Sequence, residues 1–269
     1  MLVDVHTHLT HEKFNNRVDE VIKNAKIAGL GAIVVNGLHP RSNRETLQLA
    51  EKHPIISPAL GIYPIEAVNG IVKDLPFPVE SFDVDEEIEF IRSQAKAKKI
   101  IAIGECGLDG YWVKEDTFPE QERVFESLIE IAIEHDLPLI IHTRKRETRS
   151  MEILKHFGAD KVNFHCYGGR VKNAIRWAQE EGWYFSIPAN SRKNEAFAKM
   201  LAELPQQQIL TETDAPYLSP QKGDINEPAN VSRTIQHLAE IKGWDFEAAN
   251  QLVWANFQRL FGASLGTQE

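Results

Sequence analysis

Short apolar segments alternate with helical segments along the whole 269-residue chain, and this alternation constrains the fold more than any other feature. Most of the apolar segments are continuous rather than alternating, which is typical of parallel strands that are buried on both faces. The eight predicted strands cover residues 2–5, 32–36, 55–60, 100–104, 139–141, 161–164, 184–187 and 209–210.

A helical segment follows each predicted strand. The clearest covers residues 119–135, where apolar side chains recur at helical spacing. The others cover residues 16–28, 43–53, 85–98, 147–157, 171–182, 194–204 and 230–242, with a further helix over 245–261. Eight strand–helix units predict an α/β fold, a closed (β/α)8 TIM barrel formed as one domain over residues 1–269. An open doubly wound sheet is the alternative, but no glycine-rich phosphate fingerprint follows the first strand.

Composition limits the class of protein. The longest apolar run falls short of the roughly 18 residues that a membrane span needs, and the amino terminus does not resemble a signal peptide. Two cysteines far apart in sequence suit a reducing compartment, so a cytoplasmic location is expected. The net charge of −9 argues against a surface coated with nucleic acid, although it leaves room for a local basic patch.

Metal-binding residue types end several of the predicted strands. They are His6 and His8 in the first strand region, Glu105 after the fourth, His142 after the fifth, His165 after the sixth and Asp214 after the eighth. The carboxyl ends of barrel strands carry the active site, and imidazoles and carboxylates bind divalent metals. Side chains at i and i+2 share one face of a strand, so His6 and His8 can converge on one ion, with Asp4 behind them as a partner.

Six such residues at one end of five strands predict a metal centre, although an isolated histidine is a weak signal. The set is too large for one tetrahedral site with an open position. It suits two ions about 3.5–4 Å apart that share a carboxylate, and Glu105 is the expected bridge. Asp214 is expected to bind one ion and to accept a proton from the activated water. Mg²⁺, Mn²⁺ and Zn²⁺ all suit these ligands.

Six segments in the right order over nearly the whole chain carry a family resemblance. They are DVHTH (4–8), IGECGLD (103–109), PEQERVFESLIEIAIEHDLPLIIHTR (119–144), FHCYGG (164–169), LTETDAPYL (210–218) and NEP (226–228). They resemble the TatD-like metal-dependent hydrolases of the amidohydrolase superfamily. The resemblance implies a (β/α)8 barrel and deoxyribonuclease activity, in some members on the 3′ end of single strands. It also implies one metal held by His6, His8, Glu105 and Asp214 and another held by Glu105, His142 and His165.

The chain departs from the family pattern around the expected substrate pocket. Tyr63 replaces the usual histidine of GxHP, and a phenol donates a hydrogen bond but carries no positive charge. Gly168 replaces the serine of HCFSG. In the segment that usually reads RGKRNEP, Lys222 is kept but Asp224 and Ile225 replace two basic residues. The metal ligands are all present, so the departures bear on the substrate.

Basic residues concentrate on the loops after the strands, from Arg41 to Lys193, and two interpretations stay open. They attract an anionic substrate, or they form ion pairs with Glu12, Glu115, Asp116, Glu147 and Glu227. The candidates for substrate binding are Tyr63, Arg144, Arg170, Lys222 and Glu227. Glu227 is expected to hydrogen-bond either a histidine ligand or the substrate.

Other expectations concern the loops and the cysteines. Residues 63–84 are expected to form a lid or wall loop. Tyr111 and Trp112 either stack on a base or cap the barrel mouth, and capping is slightly favoured. Cys106 and Cys166 are expected to pack rather than to act as nucleophiles.

The sequence thus predicts a divalent-metal-dependent phosphodiesterase, most consistent with a deoxyribonuclease that acts on DNA ends through water activated by two metals. Hydrolysis of a small lactone, amide or phosphoester at the same metals is the alternative among enzymes. A metal-binding barrel without activity is the alternative outside them, and the complete ligand set argues against it. Neither a membrane nor an obligate protein partner is inferred.

Overall fold

The computed structural model describes residues 1–72, 75 and 77–262. Eight strands form one parallel sheet in the order of the chain, β1 to β8. They are β1 (Leu2–Thr7), β2 (Leu30–Asn36), β3 (Ile56–Leu60), β4 (Ala102–Asp109), β5 (Leu139–Arg144), β6 (Val162–His165), β7 (Tyr184–Pro188) and β8 (Ile209–Glu212). The predicted TIM barrel is confirmed by this topology.

The barrel closes where β8 returns to β1. The backbone N–H of Asp214 donates to the carbonyl of His6 at 2.9 Å, and that of His8 donates to Ala215 at 2.8 Å. Thr7 and Ala215 form a parallel bridge. Closure therefore places the end of the last strand beside the two histidines of the first.

Nine α-helices lie within the described residues. They are α1 (Val18–Ile27), α2 (Pro40–Lys52), α3 (Val84–Lys96), α4 (Phe118–Glu134), α5 (Glu147–Phe157), α6 (Val171–Glu180), α7 (Glu195–Glu203), α8 (Ser232–Lys242) and α9 (Phe246–Phe261). Each of the nine overlaps a predicted helix. The longest, α4, packs on β4 and buries Val124, Phe125, Leu128 and Ile129 on one face, because these residues recur at helical spacing. Among the described residues, no helix has the length and apolarity that crossing a bilayer requires.

Several strands continue past their predicted ends; β5, for example, was expected to end at Ile141 but continues to Arg144 and contains His142. At two other strands the extension contains a buried acid of the site. The fourth strand was expected to end at Gly104, but β4 continues to Asp109, so Glu105 lies inside the strand. The eighth was expected to end at Leu210, but β8 continues to Glu212. Both predictions stopped at the first polar residue. The polar side chains are nonetheless buried, because they point into the closed barrel at its carboxyl end.

The long loop after β3 forms a wall at the barrel mouth. Ile65 and Val68 are buried and pack with Val113 of the loop after β4, forming a second small apolar cluster apart from the main core. Phe77 lies edge-to-face on Trp112 with 5.4 Å between ring centroids. Residues 73, 74 and 76 of the predicted lid or wall segment lie outside the described residues.

Candidate metal centre

Glu105 stands at the centre of the site and presents its two oxygens to two different pairs of histidines. Oε2 lies 3.4 Å from Nε2 of both His6 and His8. Oε1 lies 3.0 Å from Nδ1 of His142 and 3.0 Å from Nε2 of His165. The side chain is buried and points inward because Glu105 lies within β4. One carboxylate thus joins two donor sets that come from opposite sides of the barrel.

Asp214 completes the first donor set. Its Oδ1 lies 3.4 Å from Nε2 of His8 and 3.7 Å from Nε2 of His6. The residue lies two positions after the end of β8, and its backbone N–H donates a hydrogen bond to the carbonyl of His6 in β1. The structure therefore brings together all six residues predicted from the strand ends, in three groups whose donor atoms lie within 4.8 Å of one another.

The spacing of the donor atoms fits divalent cations. Donors that share one ion at about 2.1 Å, with bond angles of about 90–109°, lie about 3.0–3.4 Å apart. Nε2 of His6 and Nε2 of His8 are 3.1 Å apart, and Nδ1 of His142 and Nε2 of His165 are 3.4 Å apart. Nitrogen and carboxylate oxygen donors of this kind suit Zn²⁺ and Mn²⁺, and Mg²⁺ with additional water ligands.

Contacts outside this cluster orient two of its imidazoles. Nδ1 of His8 lies 3.2 Å from the carbonyl of Asn36, which can only accept, so Nε2 keeps its lone pair toward Glu105. Nε2 of His142 lies 3.0 Å from Asp109 Oδ2, which leaves Nδ1 free on the other edge of the ring. Such partners of metal-binding histidines fix the tautomer and the ring orientation.

Asp109 and Glu212 are two buried acids at this site that the sequence analysis missed. Glu212 Oε1 lies 3.8 Å from Nδ1 of His165, and its other oxygen accepts a hydrogen bond from Ser186 at 2.5 Å. A longer predicted strand would have found Asp109, because residues 105, 107 and 109 share a face of β4. Extending the eighth strand to residue 212 would likewise have drawn attention to Glu212.

Asp4, which was expected as a partner behind the two histidines, contacts the backbone of His6 and none of the histidine rings. The Asp4 carboxylate accepts hydrogen bonds from the hydroxyl and the backbone N–H of Thr213, at 2.5 Å and 2.9 Å, and from the backbone N–H of His6. It therefore connects β1 to the chain just after β8. The partner of the residue is set by barrel closure, which alternation within one strand does not reveal.

The charges in the cluster favour a cation between Glu105 and the imidazoles. Burial favours a neutral Glu105, but His165 and His142 outweigh it and hold the pKa of this carboxyl well below its usual range. Burial likewise opposes a proton on His165, yet Glu105 and Glu212 raise its pKa well above the usual value. Burial, with help from His165, lowers the pKa of His6 to about 4, so this ring stays neutral with a free lone pair.

Tyr63 and Arg144 lie beside the second donor set. The Tyr63 ring stands edge-to-face on His142 at 4.8 Å between centroids. Burial and then Glu105 raise the pKa of this phenol well above its usual value, so it stays protonated and able to donate. The Arg144 guanidinium stacks on Tyr111 at 3.6 Å and lies 5.6 Å from the Trp112 ring. Among the described residues it has no carboxylate partner, which leaves its charge available.

The other three predicted substrate residues lie farther out. Arg170 is exposed at the start of α6 and lines a cavity of about 570 Å³ with Lys145 and Tyr167. Lys222 is exposed in the loop after β8. Glu227 corrects an expectation, because its two oxygens accept hydrogen bonds from Arg17 and Asn24 rather than from a histidine ligand. This carboxylate ties the loop to the region of α1.

Several basic residues of the rim form ion pairs, mostly with other acids than those expected. Arg44 pairs with Glu87, Arg146 with Glu122 and Arg192 with Glu240. These three pairs join neighbouring helices or helix ends, so the structural interpretation fits them.

Cys106 and Cys166 are free thiols, and neither has the character of a nucleophile. Cys106 is fully buried with its sulfur 3.8 Å from the carbonyl of Ile140. Burial raises the pKa of both thiols. A protonated thiol is a poor nucleophile.

Comparisons with known proteins show which family this chain resembles. The family model described as TatD related DNase matches residues 3–262. Human deoxyribonuclease TATDN3 is 30% identical over 264 residues, which cover 97% of this chain and 94% of that protein. The uncharacterized metal-dependent hydrolase YabD of Bacillus subtilis is 31% identical over 97% of this chain and 99% of its own length. The 3′-5′ ssDNA/RNA exonuclease TatD of Citrobacter rodentium is 28% identical over 98% of this chain and 99% of its own length.

Solved structures confirm the fold independently. The crystal structure of the TatD homolog YJJV from Escherichia coli superposes with a TM-score of 0.83 at 24% identity, covering 97% of this chain and 98% of that one. The match of the family model over nearly the whole chain, with relatives above 30% identity, is decisive for classification. The chain is a metal-dependent hydrolase that acts on ester bonds, and it belongs to the TatD-related DNase family.

Proposed function

We propose that this protein is a two-metal phosphodiesterase of nucleic acids that favours the 3′ end of single-stranded DNA. One observation carries the proposal: each oxygen of Glu105 faces its own pair of histidines, as a carboxylate shared by two cations requires. His6, His8, Glu105 and Asp214 would hold one cation, and Glu105, His142 and His165 the other. When bound, the cations supply Lewis acidity and lower the pKa of a water ligand.

The protein's own groups then have distinct tasks. Asp214 faces His6 and His8 through Oδ1 and is 15% exposed, so its carboxylate reaches both the donor set and the barrel opening. It orients the attacking water and takes its proton. The Tyr63 hydroxyl and the Arg144 guanidinium donate hydrogen bonds to phosphate oxygens, on which charge develops as the phosphorus is attacked. The buried walls exclude bulk water and strengthen these interactions.

Two names among the relatives support nucleic acid as the substrate. Human TATDN3 is called a deoxyribonuclease, and the Citrobacter rodentium relative an exonuclease of single-stranded DNA and RNA. All six residues proposed to hold the cations are present in this chain. Their presence supports hydrolysis of a phosphodiester at this site. Both cysteines are free thiols, which supports our proposal of a cytoplasmic location. A protein partner has no part in the proposal.

Tyr63 and Ile225 favour a second candidate, the hydrolysis of a small lactone, amide or phosphoester at the same metals. Both replace residues that bring positive charge to the substrate pocket in the family pattern. A less basic pocket suits a substrate with less negative charge.

A time course on single-stranded DNA labelled at either end tests the choice. We expect the Mg²⁺- or Mn²⁺-loaded protein to shorten the strand from its 3′ end. Asp214→Asn should reduce the rate by about 100-fold or more, since general bases contribute on this order. Metal content measured on both proteins separates lost chemistry from lost metal. Intact DNA with a fully metal-loaded wild-type protein would favour the small-molecule substrate.

A further inference from the structure

Three large aromatic side chains at the mouth of the barrel are exposed. Tyr111 is 50% exposed, Trp112 37% and Tyr217 46%, whereas most large apolar side chains of the described residues are buried. Tyr111 and Trp112 lie just after β4, and Tyr217 lies just after β8. We call Tyr111 with Arg144 the first platform and Tyr217 the second platform.

The two platforms lie on opposite sides of the metal centre. In a closed barrel with strand order β1 to β8, β4 stands opposite β8. The Tyr217 ring lies 6.5 Å from the ring of His8 and 5.5 Å from that of His11. The first platform lies next to His142, because Asp109 binds this ring and also accepts hydrogen bonds from the backbone of Tyr111 and Trp112. One platform therefore adjoins each donor set of Glu105.

Each platform is fixed in place and carries a cation. The Arg144 guanidinium stacks on Tyr111 at 3.6 Å, and Trp112 supports Tyr111 edge-to-face at 4.8 Å. Lys13 Nζ lies 5.6 Å from the centre of the Tyr217 ring. Aromatic rings beside basic side chains bind single-stranded nucleic acids, because every base offers a π-face and each link carries a negative charge.

We propose that the two platforms stack on the bases on either side of the scissile phosphate, one base per platform. This inference rests on the proposed function and adds to it the part of the substrate that is recognised. It requires unpaired bases, because a base inside a duplex cannot turn its face to a side chain. It also assigns much of the affinity to stacking, in a chain that has Asp224 and Ile225 at two positions that are basic in the family pattern.

Binding to a hydrolysis-resistant strand measures the contribution of each platform without any turnover. The probe is a fluorescein-labelled hexathymidylate with phosphorothioate links, followed by anisotropy with metal-loaded protein. Tyr111→Leu and Tyr217→Leu should each weaken binding by about tenfold, since stacking on one base has an effect of this order. Tyr111→Phe and Tyr217→Phe keep the ring and should stay within about twofold of the wild type. Arg144→Lys keeps the charge but loses the planar stack, so it should weaken binding.

Dinucleotides that lack one base show whether each platform binds a different base. The substrates are thymidine dinucleotides with an abasic sugar on either the 5′ or the 3′ side of the phosphate. Removing either base should raise KM for the wild type. Removing the base that stacks on Tyr111 should leave KM of Tyr111→Leu unchanged, and removing the base that stacks on Tyr217 should leave KM of Tyr217→Leu unchanged. The proposal would be overturned if the effects on KM of each leucine substitution and each base removal simply added. It would also be overturned if both substitutions depended on the same base.

A fully abasic dinucleotide separates this inference from the proposed function. The loss of rate caused by each leucine substitution should be smaller on this substrate than on a dinucleotide with both bases, because it has no base to stack. If the wild type hydrolyses no phosphodiester at all, the proposed function fails, while the anisotropy measurement still decides whether the platforms bind bases. Unchanged anisotropy in both leucine variants would refute stacking even in an active nuclease.

Discussion

Glu105 illustrates how much depends on a single side chain in this protein. Five other donors surround its carboxylate, and each oxygen faces its own pair of imidazoles at 3.0–3.4 Å. A histidine presents only one lone pair to a metal, so no histidine of the cluster could join the two donor sets in this way. The residues around Glu105 contribute to metal binding by holding these donor atoms in place.

Asp109→Asn tests that supporting role. The amide of this variant could still accept a hydrogen bond from His142 but would not bring a negative charge, so we expect metal affinity to fall by about 10- to 100-fold. Titration calorimetry with Mn²⁺ or Zn²⁺ measures the change.

Asp116→Asn is the matched control for that titration, because Asp116 is an exposed acid in the connection between β4 and α4. Its affinity should equal that of the wild type. Equal affinity in the Asp109 variant would show that His142 keeps its orientation without this carboxylate.

At the scale of elements, the wall loop after β3 contains an acid in an unfavourable position. Oε2 of Glu66 is buried without a hydrogen-bond partner among the described residues. Burial and then Glu80 raise the pKa of Glu66 to about 7, although Arg41 opposes them. The carboxyl group of Glu66 in the folded loop is therefore partly protonated near physiological pH.

The free energy of unfolding should depend on pH through Glu66. The folded pKa exceeds the unfolded value of 4.5, so the folded state binds more protons between pH 4.5 and about 7. The contribution of a protonated Glu66 is complete below pH 4.5 and declines as the pH rises through 7. Urea unfolding at pH 5 and pH 8 should show that Glu66→Gln gains about 1–2 kcal/mol over the wild type only at the higher pH, after allowance for partial exposure.

Glu86→Gln provides the control for that comparison, because Glu86 is exposed in the first turn of α3. It should follow the wild type at both pH values within about 0.5 kcal/mol. If Glu66→Gln also follows the wild type at pH 8, the carboxyl is ionised in the folded loop at no cost.

At the scale of the whole molecule, the same residues close the barrel and position the site. Asp4 joins β1 to Thr213 through two hydrogen bonds, while the neighbouring backbone of His6 binds Asp214. The positions of three proposed ligands, His6, His8 and Asp214, thereby depend on the closure of β8 onto β1. The contacts between β1 and the chain after β8 therefore link the stability of the fold to metal binding.

Thr213→Val should destabilise the protein by about 2 kcal/mol, because the buried Asp4 carboxyl loses its hydroxyl donor while the shape is kept. Thr46→Val makes a strict control in the same denaturation experiment. The Thr46 hydroxyl is buried without a partner among the described residues, so its removal should be neutral or stabilising. An equal loss of unfolding free energy in both variants would mean that the hydrogen bond between Thr213 and Asp4 adds no stability of its own.

Metal removal should lower the melting temperature. A ligand that binds only the folded state at 100 times its Kd adds about 2.7 kcal/mol, or about 5–10 °C for a chain of this size. Scanning calorimetry with and without EDTA measures this shift, and Asp214→Asn should show a smaller one. An identical melting temperature with and without EDTA would contradict cation binding in the folded state.

The sequence alone was enough to determine the architecture and the six converging donors. Runs of buried strand residues, helical periodicity and the placement of His6, Glu105 and Asp214 at strand ends are local features that read directly from residue order. Strand alternation also predicted that His6 and His8 share a face. Whether the chain forms one domain over all 269 residues stays a prediction.

Only the tertiary structure decided which partner each polar group takes. Asp4 binds Thr213, Glu227 binds Arg17 and Asn24, and Asp109 orients His142. Each of these contacts joins residues at least 33 positions apart. The physical reason is that periodicity specifies the face on which a side chain lies, whereas its partner is set by the closure and register of strands that are distant in sequence.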